Sequence, residues 1–91
     1  MTITVSGGTG QVSANFGAAA YEGVSIVSPD NTPLYDFHIY DSENHLQVAA
    51  LAIDSQKTAI KENFILYGTC TVRIDNAADD GSYTVKLVPR P

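Results

Sequence analysis

Ninety-one residues carrying one cysteine, ten acidic and five basic side chains make a single small domain with a formal charge of −5. A lone cysteine excludes an internal disulfide, so the core must hold without one. The cations Lys57, Lys61, Arg73, Lys86 and Arg90 are scattered along an acidic chain, which speaks against nucleic acid, because phosphate binding needs clustered Lys and Arg.

The first residues, Met1–Val5, have no basic start and no long apolar run, so no secretory signal is expected. No apolar stretch nears the roughly 18 residues of a membrane helix. The chain is expected to be complete from its initiator methionine, to be made in the cytoplasm and to engage no membrane.

Thr2–Ser6 alternates, with Ile3 and Val5 on one face. Gly7-Gly8-Thr9-Gly10 reads as a turn or hinge. The hinge would leave the first strand as an arm able to pair outside the body, or as the first strand of its own sheet. Gln11–Phe16 alternates again, with Val12, Ala14 and Phe16 inward. Gly17–Ala20 is too short to stand as a helix. Gly23–Val27 is a third strand, and Ser28-Pro29-Asp30-Asn31-Thr32-Pro33 is a turn cluster.

In Leu34–Asp41, Tyr35, Phe37 and Ile39 face one way and Asp36, His38 and Tyr40 the other. Asp41-Ser42-Glu43-Asn44 is a hairpin loop. His45–Ile53 returns with Leu46, Val48 and Ala50 on the core side. Residues 54–63 fit a capped helix or a strand, and the β-rich surroundings favour the strand. Phe64–Asp75 and Ser82–Val88 then alternate with period two on either side of the polar loop Asn76–Gly81, and read as an antiparallel hairpin. Val72, Ile74, Tyr83, Val85, Leu87, Phe37 and Ile39 are expected in one core. Pro89-Arg90-Pro91 ends the last strand.

Seven to eight short strands at this turn spacing predict an all-β fold: one small antiparallel β-sandwich, immunoglobulin-like or jelly-roll-like, over residues 1–91, with residues 1–10 as a candidate N-terminal arm and hinge. Cys70 falls on the inward parity with no CxxC and no nearby histidine, which makes it a core thiol.

Asp75, Asn76, Asp79 and Asp80 supply calcium-type oxygens, but in the wrong spacing and without a distal glutamate, so the loop reads as a solvated turn. His38 and His45 flank a hairpin near Asp36 and Asp41 without a clear third ligand, so no metal site is assigned. No nucleophile elbow, P-loop, HExxH or paired catalytic carboxylates occur, so no catalytic residue, cofactor or enzyme activity is expected. Asp79-x-Gly81-x-Tyr83 has the form of a tyrosine corner, which predicts a packed ring with its hydroxyl bonded nearby. Among Tyr21, Tyr35, Tyr40 and Tyr67, Tyr40 and Tyr67 are candidate platforms for a sugar ring.

Two resemblances follow from these residues. Phe37-His38-Ile39-Tyr40-Asp41, followed by Gly68-Thr69-Cys70-Thr71-Val72-Arg73-Ile74 and Gly81-Ser82-Tyr83-Thr84-Val85, resembles the strand pattern of the bacterial pre-peptidase C-terminal sandwich. In size, acidity and its wealth of Ala, Thr, Ser, Val and Gly, the whole chain is similar to small accessory proteins of tailed-phage particles, of the capsid-decoration or tail-adaptor type. That second resemblance implies a structural virion protein, made in the host cytoplasm, that docks on a capsid or tail lattice and on copies of itself. A carbohydrate- or surface-binding module is the alternative. The expected partner contacts are Ile3, Val5, Tyr40, Tyr67 and Arg90.

Overall fold

Large apolar side chains at every second position are what turn this chain into strands, and the alternation survives in the folded molecule. In Tyr35–Tyr40 the burial alternates residue by residue, with Tyr35, Phe37 and Ile39 fully buried. The structure, a computed structural model, describes residues 1–30 and 33–91; Asn31 and Thr32 of the expected Ser28–Pro33 turn lie outside the described residues. Six strands are present among them: β1 (Thr2–Val5), β2 (Gly10–Val27), β3 (Tyr35–Tyr40), β4 (Leu46–Ile53), β5 (Lys57–Asp75) and β6 (Gly81–Pro89). They form one antiparallel sheet in the order β1-β6-β2-β5-β3-β4.

The expected seven or eight short strands are six, because the chain bends where the sequence pattern suggests a break. Gln11–Phe16 and Gly23–Val27 run together in β2, and the ambiguous stretch before Phe64 is the start of β5 rather than a helix. The bends are bulges. Between Asn15/Ala18 and Thr69/Tyr67 the register shifts, and Gly17 and Gly68 sit there with φ of 64° and 62°. Such dihedrals cost little only for glycine, so the two long strands turn one corner together.

The expected hairpin between Phe64–Asp75 and Ser82–Val88 does not form. Both strands exist and face as expected, but β2 lies between them, pairing with β5 through Val24↔Ile60 and with β6 through Val24↔Leu87. The loop of residues 76–80 is an arch that carries the chain across the core. Alternation fixes which way a side chain points and leaves the neighbouring strand open. By contrast, the β3–β4 hairpin forms as read, with Ile39↔Val48 and His38↔Ala49. Its Leu46 turns outward, 53% exposed, because the register slips between Ile39 and Tyr40.

The sheet curls so that one face closes on itself. Tyr35 of β3 and Tyr83 of β6 are three places apart in the strand order, yet their rings meet edge to face at 5.0 Å. Ile3, Val5, Val24, Ile26, Phe37, Ile39, Leu66, Cys70, Val72, Ile74 and Val85 fill the same core. Leu87, expected there, is only partly buried against it.

The N-terminal segment is part of this body. β1 pairs with β6 through Ile3↔Tyr83 and Thr4↔Ser82, and Ile3 and Val5 are 0% and 2% exposed. Gly7–Gly10 is a tight turn, closed by Ser6 N–H to the Thr9 carbonyl at 3.1 Å, and a Cβ on Gly10 would collide with the Thr4 carbonyl. In this fold Ile3 and Val5 are core side chains and not surface contacts.

Candidate docking face

Two surfaces of the curled sheet carry groups that could meet a partner. The first is polar and lies over β2, β5 and β3. Residues of outward parity stand in rows set by the ladder: Gln11↔Arg73↔His38 and Ser13↔Thr71↔Tyr40. Arg73 donates from Nε to both Asp75 carboxylate oxygens at 2.8 Å, and reaches Gln11 from Nη1 at 3.4 Å. The His38 and Tyr40 rings stack at 5.6 Å. Gln11, Tyr40, Asn44, Thr71, Arg73 and Asp75 line an open groove of about 560 Å³.

Asp75 is the hub of this face. Partial burial pushes its carboxyl up, but the Arg73 and Thr9 hydrogen bonds and the Arg73 and His38 charges together hold it below the usual carboxylate range. His38 Nδ1 lies 3.6 Å from Asp75 Oδ2 and makes no hydrogen bond. Asp36 accepts the Ala52 N–H and the Asn76 amide, each at 2.8 Å, and these bonds lower its pKa.

The acidic loop is likewise occupied with structure. Asp80 accepts the Gly8 N–H at 3.3 Å, Ala77 N–H reaches the Gly8 carbonyl at 3.0 Å, and Ala78 N–H reaches the Leu34 carbonyl at 2.8 Å. Tyr83 donates its hydroxyl to the Asp79 carbonyl at 2.8 Å, the local bond that the Asp-x-Gly-x-Tyr pattern predicts. Among the described residues no group of three His, Cys, Asp or Glu is placed to hold a metal ion. His38 pairs toward Asp75 and His45 toward Asp41, so the two histidines serve different carboxylates.

The second surface is an open strand edge. β3 pairs with β5 only along Thr71–Asp75, so from Lys57 to Thr69 β5 has β2 on one side and, among the described residues, no strand on the other. Beside this edge sits the β3–β4 loop. Asp41, Ser42, Glu43 and Gln47 form one wall of a groove of about 240 Å³, and Ile65, Tyr67 and Cys70 form the other. Phe64 and Leu66 take the core positions, which turns Ile65 and Tyr67 outward, 42% and 66% exposed.

Asp41 accepts the N–H groups of His45 and Glu43 at 2.8 and 2.9 Å. The His45 bond is the main cause of its lowered pKa, so the carboxyl stays ionised at the mouth of the groove. At the base, burial raises the Cys70 thiol, which donates weakly to the Tyr67 carbonyl at 3.5 Å. The thiol is 1% exposed and packs into the core.

The five expected contact residues therefore part company. Tyr40 lines the polar groove, Tyr67 the apolar edge, and Arg90 lies apart at the end of β6, donating to the Tyr21 carbonyl at 3.4 Å. Ile3 and Val5 are inside. Ile65 lines the same edge and is absent from the expected contacts. Its signal is visible in Phe64-Ile65-Leu66-Tyr67, where a strict alternation leaves two large apolar side chains on the outward parity. No known family model matches this chain, and no curated protein matches it.

Proposed function

We propose that the chain is a non-enzymatic structural protein that docks on a larger protein lattice, the capsid or tail of a tailed-phage particle. One observation carries this reading: the edge of β5 is unpaired from Lys57 to Thr69 and presents Ile65 and Tyr67 to solvent. Open edges that also expose large apolar side chains are liabilities unless a partner covers them. The long strands β2 and β5, bent at their glycines, join two layers of a small sandwich, a rigid body for such contacts. Repetition over a lattice turns weak individual contacts into firm retention.

The test is occupancy. Particles purified by density gradient from cells expressing the gene should contain the chain in many copies, and negative-stain images with a labelled antibody should place it on the particle. A chain found only in the unassembled protein pool would overturn the reading.

A second reading rests on the polar groove, where Tyr40 stands beside Gln11, Asn44, Arg73 and Asp75. Planar polar side chains next to an aromatic ring are the means by which a protein binds a sugar. Binding on a glycan array that is lost in Tyr40→Ala would favour it, and an array without signal would remove it.

A further inference from the structure

We propose that the β5 edge beside the β3–β4 loop takes an extended segment of a partner protein in which apolar and basic residues alternate; this rests on the docking reading above. Three observations select that partner. The edge offers backbone: among the described residues no strand besides β2 covers β5 before Thr71, so a segment laid along it would continue the ladder. The edge offers apolar contact: Ile65 and Tyr67 project on one side at alternate positions, matching the two-residue period of an added strand.

The groove is also acidic at its mouth. Asp41 and Glu43 stand on the loop wall facing Ile65 and Tyr67, and Glu43 is 79% exposed. Lys57 and Lys61 lie further along β5 and do not line this groove. A second copy of the chain would bring its own acidic loop and its own charge of −5, so like-charge repulsion disfavours it. A basic, alternating strand supplies both what the edge lacks and what the rim attracts.

The experiment uses the full chain and three synthetic peptides of equal length: valine alternating with lysine, valine alternating with glutamate, and the valine–lysine composition rearranged in two blocks. Amide hydrogen exchange and 15N–1H shifts are followed on titration. The alternating lysine peptide should slow exchange of those backbone amides in Asn63–Thr69 that point away from β2 by about tenfold, since ladder bonds close them to solvent. It should also shift Ile65, Tyr67 and Glu43, and its affinity should fall with added salt.

The glutamate peptide should do neither, and the blocked peptide should shift acidic residues without protecting β5. Tyr67→Ser, at an exposed position, should keep the melting temperature and lose the protection. No protection with the alternating lysine peptide would overturn the proposal, as would equal protection by all three peptides or a free chain that is already a dimer with these amides closed. Failure here alongside particles that still carry the chain would move the docking contact elsewhere without touching the docking reading.

Discussion

Tyr35 and Tyr83 touch each other in the core and differ in one atom's surroundings. Tyr83 donates to the Asp79 carbonyl, whereas the Tyr35 hydroxyl is buried with the Thr58 side chain beside it and makes no close hydrogen bond; burial pushes its pKa up to about 12, with Thr58 pulling it down. Tyr83→Phe should therefore cost about 1 kcal/mol and Tyr35→Phe less, because only Tyr83 loses a well-made bond. Urea melts of the two variants check the order. Asp79 gives a pH-dependent counterpart. A hydrogen bond with the Asp30 carboxyl raises its pKa, so the folded state prefers Asp79 protonated. A raised carboxyl contributes stability below the ordinary value of about 3.9 and loses it as pH rises through the folded value. Asp79→Asn should melt higher than the parent at pH 7, and the difference should close toward pH 3. Equal melting temperatures across that range would contradict it.

At the scale of elements, β2 is the piece the sheet depends on, since it pairs with both β5 and β6. Backbone NOEs should join Val24 to Ile60 and to Leu87, and none should join β5 to β6 as a ladder. Removing residues 1–8 should strongly destabilise the domain. Ile3 and Val5 are fully buried, and burying such a side chain is worth about 1.5–3 kcal/mol. A truncated chain with an unchanged melting temperature would show that β1 is dispensable to its own sheet. The parity of β3, of the second half of β5 and of the start of β6 was legible from alternation, since Tyr35, Phe37, Ile39, Cys70, Val72, Ile74, Tyr83 and Val85 all face the core, whereas Leu46 and Leu87 do not follow it fully. Strand order was not legible. Asn76–Gly81 carries ordinary turn residues, and an arch over the core and a hairpin use the same ones. The strand end expected after Phe16 is a bulge at Gly17, because a bulge and a loop both call for positive φ.

For the whole molecule, Asp36, Asp41 and Asp75 all have lowered pKa values, each in a hydrogen-bonded place that ties loops or strands together. Lowered carboxyls contribute stability above the ordinary value near 3.9, and that stability is lost as pH falls through their folded values. The melting temperature should hold from neutrality to about pH 5 and drop below pH 4. On the surface, Tyr67 was legible as an outward aromatic side chain, and it is exposed. The outward parity of Ile65 is also in the alternation, but that β3 leaves β5 uncovered before Thr71 is not, because alternation does not name the neighbouring strand. The proposed docking role of this edge is tested most directly by the double variant Ile65→Lys, Tyr67→Lys. Both positions are exposed, so the variant should melt as the parent does, yet it should be missing from gradient-purified particles that carry the parent chain. A variant that melts normally and still enters particles at the parental copy number would contradict the account.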